Sequence, residues 1–352
     1  MPATNDAAAW SHLFDAPLWG DLGLQSSAHP QHDDARERNL SWLRGHNFFA
    51  SAADEDWYRS WDLEGLVGVV YPYVDDAGLD ICNQGTAFMT VFDDQFEGLP
   101  GDGAATATAT VRSYLEIIDG RPGAGLLSPL GTVFAEIWQD WTASGMSPEW
   151  QARARNNWVY CLTAMAHERV SLQTRQPLAP DQYLELRRGT SYMPLFLDLI
   201  ELAGGVECPR LMIASPSIRI MRVITMDVVN FMNDILSLGK ELSRGDNDNI
   251  VLTIQHQRQC TLDEAIAFAC DEIKTRTRRF TELRNGIPDL CISLGLSDEE
   301  VSATLHYGLA LEYWMGGYEP WQRRSPRYKD AFFQRPSSTR WAFEMGNHRG
   351  WS

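Results

Sequence analysis

The chain has 352 residues, 44% of them hydrophobic and 22% charged, which is ordinary globular material for one large core or two smaller ones. Lys and Arg number 30 against 47 Asp and Glu, a formal charge of −17 at pH 7, so the molecule repels a nucleic-acid backbone and nucleic acid is not an expected partner. No apolar run is long enough to span a bilayer, and the first residues lack a basic region followed by an apolar one, so a soluble cytoplasmic protein is expected. Six scattered cysteines without CxxC spacing and eight histidines without HxxxH or HExxH pairing offer neither a disulfide framework nor a zinc site. If the ligand is an anion, a local cluster of cations must hold it against the global charge.

Residues 1–28 show little periodicity and are expected to form a fraying N-terminal tail. From His29 onward the apolar spacing is helical, punctuated by Gly, Pro and Asp clusters. Asp75 and Asp76, between Pro72 and Gly78, read as a turn. Asp181, after Pro180, opens a helix that runs through Arg187 and ends at Gly204-Gly205. Ser217, after Pro216, opens a long helix that stops at Gly245. Residues 246–249 (DNDN) make a polar loop. Thr261 with Glu264, and Ser297 with Glu300, are capping boxes. Residues 336–352 are expected to be a C-terminal tail. The whole reads as one all-α domain over residues 29–335, a bundle of about ten helices around a central cavity.

Two acidic clusters carry the chemistry. In Phe92-Asp93-Asp94-Gln95-Phe96-Glu97, helical spacing gathers Asp93, Asp94 and Glu97 near one edge. Three crowded carboxylates repel one another unless a cation sits among them, and their hard oxygens suit Mg²⁺. A solvated acidic turn is the competing interpretation. The second cluster, Asn233-Asp234-Ile235-Leu236-Ser237-Leu238-Gly239-Lys240-Glu241, places Asn233, Ser237 and Glu241 at i, i+4, i+8, within about 80° on one helix face. An amide oxygen, a hydroxyl and a carboxylate are an all-oxygen set with one negative charge, able to hold a hard divalent ion while leaving it room for water and phosphate. Lys240 falls on the same side. Flanking apolar residues indicate a buried helix, where such a polar set is costly without a partner.

These motifs resemble those of microbial class I terpene synthases. DDQFE at 93–97 is similar to that family's aspartate-rich motif, and Asn233, Ser237 and Glu241 are similar to its Asn/Ser/Glu motif. By the family's register Arg187 resembles the arginine that senses the diphosphate, Thr190 the linker and Ser191 the effector at a helix break. Arg327 and Tyr328 resemble the family's Arg-Tyr pair. The resemblance spans roughly residues 29–330.

What the resemblance implies is an Mg²⁺-dependent cyclase, with three ions held by Asp93, Asp94, Glu97, Asn233, Ser237 and Glu241. Arg187, Lys240, Arg327 and Tyr328 would bind the diphosphate of an isoprenyl substrate, farnesyl diphosphate first and geranylgeranyl diphosphate second. Trp314 is the leading candidate for cation–π stabilisation, with Phe88 and Phe92 behind it. One and two turns before Asp93 the helix carries Met89, Thr90 and Thr86, a less aromatic wall than many relatives have. A homodimer is implied by the resemblance alone. The rival readings are a chain-elongating prenyltransferase, which needs a second aspartate-rich motif where residues 233–241 stand, and a non-catalytic binding protein of the same fold.

Overall fold

The computed structural model describes residues 13–14, 18–97, 103–121, 128–174, 178–244 and 248–328. Among them the chain forms fifteen α-helices and no extended strand: α1 (His32–Gly45), α2 (Ala52–Arg59), α3 (Leu63–Val70), α4 (Asp76–Glu97), α5 (Gly103–Ile118), α6 (Pro129–Ala143), α7 (Pro148–Thr174), α8 (Pro180–Thr190), α9 (Met193–Gly204), α10 (Arg210–Ile213), α11 (Pro216–Arg244), α12 (Ile250–Arg258), α13 (Leu262–Asn285), α14 (Ile287–Leu294) and α15 (Asp298–Arg324). A 3-10 turn follows at Pro326–Tyr328. No described helix is long and apolar enough to cross a membrane.

The all-α expectation holds, with more and shorter helices than the spacing suggested. The helix expected to run from Asp181 to Gly204 is two helices. It breaks at Ser191 and Tyr192, where Tyr192 takes φ 56°, a left-handed conformation that an aromatic residue adopts only under tertiary constraint. The long helix α11 is capped by Ser215, whose Oγ accepts from the Ile218 amide (3.2 Å), rather than by Ser217. Both predicted capping boxes form, at Thr261 with Glu264 and Ser297 with Glu300. Packing begins ahead of the expected tail boundary: Leu13 and Trp19 are buried, and Arg323 of α15 donates to the Leu13 carbonyl (3.0 Å) and lies over the Trp19 ring. The predicted C-terminal tail lies outside the described residues.

Five helices form a closed ring. α4 packs on α9, α9 on α11, α11 on α15, α15 on α3 and α3 back on α4. The remaining helices cover the outside, α5, α6 and α7 on the α4 side and α12 and α13 on the α11 side. Two glycines let the ring close. A Cβ on Gly317 of α15 would fall on the Val69 carbonyl of α3, and one on Gly78 of α4 on the Ala203 carbonyl of α9. Buried charge fixes α9: Asp198, 0% exposed, accepts from Arg153 Nε (3.4 Å) on α7, Arg222 Nη2 (3.3 Å) on α11 and Asn157 Nδ2 (2.7 Å) on α7. Glu201, one turn on, pairs with Arg153 and accepts from the Cys208 amide (3.0 Å). Such a network adds little net stability when intact but is strongly destabilising when one partner is removed.

Gly317→Ala should lower unfolding stability by roughly 1–3 kcal/mol, because the methyl must displace backbone. Gly45→Ala, with open space around its Cβ, should be neutral or slightly stabilising. Urea unfolding of both variants measures the difference; equal stabilities would show that the α3–α15 contact is not close-packed.

Candidate active site

Asp93 of α4 and Arg187, which bonds Asn233 and Asp234 of α11, both act on Glu168 of α7, so the two motifs stand at one end of the bundle. α4 and α11 are joined through α9 on one side and through α3 and α15 on the other. Asp93 and Asp94 end the described part of the α4 face, both partly buried; the Glu97 side chain lies outside the described residues. Asn233, Ser237 and Glu241 stand on α11 at the same end.

Arg187 of α8 is the link between these helices. Its Nε donates to Asp234 Oδ1 (3.0 Å) and its Nη2 to Asn233 Oδ1 (2.6 Å). Asp234 is buried and also accepts from the Tyr183 hydroxyl (2.6 Å) and the Ile250 amide (2.9 Å). Tyr183 lies one turn before Arg187, so α8 presents both groups on one face. Asn233 in turn donates from Nδ2 to the Tyr318 hydroxyl (2.7 Å) on α15 and the Tyr328 hydroxyl (3.1 Å). A single asparagine thus joins α8, α11, α15 and the following 3-10 turn.

The other two members of the set are tied together. Ser237 Oγ donates to Glu241 Oε1 (2.6 Å), and Asn249 Nδ2 donates to Glu241 Oε2 (2.6 Å) and to the Asp234 carbonyl (2.7 Å). Asn249 also caps α12, accepting from the Val251 amide (2.8 Å).

Electrostatics give the site its character. Burial first, and then the Asp93 and Asp248 carboxylates, push Glu168 of α7 up to about 8, against Arg187 and a hydrogen bond from Thr190. Burial and Asp234 likewise push Glu241 up to about 7, opposed by Ser237, Asn249 and Arg187. Arg187 is held above its ordinary range: burial opposes its charge, but Asp234, Tyr183, Glu241 and Glu168 outweigh it. Carboxylates crowded enough to resist ionisation are a seat for a cation. Among the described residues no three His, Cys, Asp or Glu side chains meet at ligand distance, so the α11 donors are amide, hydroxyl and one carboxylate. That hard oxygen chemistry fits Mg²⁺ better than zinc or a soft metal. Asn233 and Glu241 would exchange their present hydrogen bonds for the ion.

The remaining predicted residues divide. Thr190 and Ser191 stand at the helix break, the Ser191 amide bonding back to the Arg187 carbonyl (3.0 Å). Tyr328 reaches Asn233, while Arg327 lies over the Trp61 ring at 4.9 Å. Lys240 is half-buried on α11. Trp314 is buried against Phe196 (5.0 Å) and edge-on to Tyr71 (5.4 Å), on the ring helices α15, α9 and the end of α3. Phe88 and Phe92 depart from expectation. They stack with each other and pack on Tyr114 of α5, and Phe88 also on Phe134 of α6 and Trp158 of α7, an outer aromatic core on the far side of α4. One residue's shift is 100° of helix, enough to turn Phe92 away from the Asp93 face.

Sequence reasoning missed Glu168, Tyr183, Asp234, Asn249 and Tyr318. Asp234 had a signal in its place beside Asn233, and Tyr183 in its i,i−4 relation to Arg187. Glu168 and Asn249 had none, because their elements meet the site only through tertiary packing.

The chain was compared with known proteins. Residues 85–279 match the family model described as terpene synthase family 2, C-terminal metal binding. The chain is 30% identical over 310 residues to pristinol synthase of Streptomyces pristinaespiralis, covering 86% of this chain and 82% of that protein. It is 29% identical over 318 residues to 7-epi-alpha-eudesmol synthase of Streptomyces viridochromogenes, covering 88% and 92%. The crystal structure of germacradien-4-ol synthase from Streptomyces citricolor superposes with a TM-score of 0.79 at 30% identity, covering 88% of this chain and 99% of that one.

Glu168 supplies a pH test. Its folded value is raised, so the unfolded chain binds fewer protons between about 4.5 and about 8, and stability falls as pH rises through that window. In EDTA, Glu168→Gln should therefore gain thermal stability over the parent progressively from pH 5 to pH 8. A constant offset across those pH values would show that Glu168 is not crowded.

Proposed function

This chain belongs to the bacterial class I terpene synthase family, and we propose that it converts farnesyl diphosphate to a cyclic terpene in an Mg²⁺-dependent reaction, with geranylgeranyl diphosphate as the second-choice substrate. The observation that carries the site assignment is the bridge from Arg187 to Asn233 and Asp234 (2.6 and 3.0 Å), beside Glu168, on which Asp93 also acts. Similarity to a relative named for cyclising (2E,6E)-farnesyl diphosphate supports the choice of substrate.

In this reading Asp93, Asp94 and Glu97 on one helix, and Asn233, Ser237 and Glu241 on the other, would hold three Mg²⁺ ions. The bound ions supply neutralisation of the charge that develops on the leaving diphosphate. Arg187, Lys240 and Arg327 add donors to the same oxygens, and Tyr328 closes over them. Arg187 must turn part of its guanidinium from Asn233 to the diphosphate. Because Arg187 and the Ser191–Tyr192 break lie on the same short helix end, that turn bears directly on α9 and its wall residue Phe196. Trp314, Phe196 and Tyr71 then face the allyl cation with their ring electrons. The enclosed ring excludes water from the bulk.

Arg187→Lys keeps one charge but not the fork that spans Asn233 and Asp234, and should lower kcat/KM about 10²-fold or more. Asn233→Ala should abolish turnover with the helical circular dichroism retained. Both are measured by gas chromatography–mass spectrometry of extracts after incubation with geranyl, farnesyl and geranylgeranyl diphosphates, with Mg²⁺ and with EDTA. Full activity in Asn233→Ala would sink the metal assignment. Longer prenyl diphosphates on addition of isopentenyl diphosphate would move the chain to the elongating enzymes.

A further inference from the structure

Buried polar groups that take no part in the diphosphate end lie on the same two helices. Asn83 and Thr86 precede Asp93 on α4, and Asn230 precedes Asn233 on α11. At 100° per residue Thr86 lies about 20° from Asp93 and Asn83 about 80° from it, while Asn230 lies about 20° from Ser237 and from Glu241. They continue the ligand-bearing faces deeper into the ring. Exposures are 2% for Asn83, 2% for Thr86 and 1% for Asn230. Yet both amide atoms of Asn83, both of Asn230 and the Thr86 hydroxyl have no hydrogen-bond partner among the described residues. Thr86 does not bond back onto its own helix, as Thr90 does onto the Thr86 carbonyl (2.9 Å).

The neighbouring directions are already taken. On α11, Asp227 and Asp234 flank Asn230 on one side and pair with Arg188 and Arg187 of α8; Asn233 flanks it on the other and bonds Tyr318 of α15. On α4, Gly85 faces Leu199 of α9, Phe88 faces α6 and α7, and Asp80 pairs with Arg38 of α1. The arc left to Asn83, Thr86 and Asn230 is the part of each helix face that these contacts, and α3 packed on α4, leave open toward the interior of the ring. An isoprenoid chain offers these groups nothing. A buried amide with its donors and acceptor unmet is satisfied in proteins by ordered water.

We infer that Asn83 and Thr86 on one helix and Asn230 on the other hold water inside the ring, and that this water ends the cation cascade, so that the product is a terpene alcohol. The inference rests on the cyclase reading above. An amide oxygen accepts a proton of the water and leaves an oxygen lone pair for the cationic carbon. That lone pair forms the carbon–oxygen bond, and the oxonium formed gives one proton to the diphosphate released in the same turnover. Nothing is oxidised or reduced, and the alcohol carries the elements of one water more than the hydrocarbon. Amides and a hydroxyl are poor bases for removing a carbon-bound proton, the step that a hydrocarbon product requires.

The test is turnover of farnesyl diphosphate by the full chain with Mg²⁺ in heavy-oxygen water, following diphosphate release and the extracted product together. The parent enzyme should give an alcohol that carries the heavy isotope. Asn230→Leu and Asn83→Leu, matched in size, should raise the hydrocarbon-to-alcohol ratio about tenfold each, with diphosphate release retained and the thermal midpoint unchanged or higher. A hydrocarbon as sole parent product, an alcohol with only light oxygen, or an unchanged ratio in both variants would each overturn the inference while leaving the cyclase reading intact. Absence of diphosphate release from the parent enzyme with any prenyl diphosphate would overturn both.

Discussion

Repulsion among carboxylates at one end of the helical ring is the constraint on which the site depends. Burial first, and then Asp93 and Asp248 acting on Glu168 and Asp234 acting on Glu241, push Glu168 to about 8 and Glu241 to about 7. Two like charges about 4 Å apart repel by several kcal/mol in a partly buried setting. Only a compensating cation makes the arrangement tolerable, and Arg187 is the one whose contacts span both Asn233 and Asp234. The same crowding that strains the protein is what a divalent ion and its diphosphate would relieve, so the cost of the site becomes its affinity.

The ring turns that local chemistry into a shaped enclosure. Gly317 and Gly78 let backbones approach where the ring closes, and the buried Asp198 and Glu201 hold α9 between α7 and α11. That rigidity sits directly behind the break at Ser191 and Tyr192, where the chain accepts a left-handed tyrosine in place of a continuous helix. Arg187 stands on one side of the break and Phe196, packed on Trp314, on the other. A short stretch of chain thus joins the arginine that bonds Asn233 and Asp234 to the aromatic residues of α9 and α15.

Polarity is distributed unevenly along the pocket. Beside Arg187 a chain of hydrogen bonds runs from Tyr183 through Asp234 and Asn249 to Glu241. Deeper in, Asn83, Thr86 and Asn230 stand buried and without a hydrogen-bond partner among the described residues. Trp314, Phe196 and Tyr71 supply the aromatic surface, while Phe88 and Phe92 have been given to the outer core with Phe134 and Trp158.

The sequence by itself determined the helical class, the capping boxes at Thr261 and Ser297, and the helical spacing of Asp93 with Asp94 and of Asn233, Ser237 and Glu241, because each is set by residues within one or two turns of helix. It also carried Arg187, Ser191 and Tyr328, through spacing along the chain and the resemblance that this spacing supports. The resemblance placed a helix break at Ser191; only the tertiary structure decided that it is made by a left-handed Tyr192, a conformation imposed by packing and not by local preference. It alone brought Glu168 and Asn249 to the site, from helices with no periodic relation to the motifs, and turned Phe88 and Phe92 away from it. Periodicity says which residues share a face of one helix; which neighbour that face meets is settled by the packing of all the helices together.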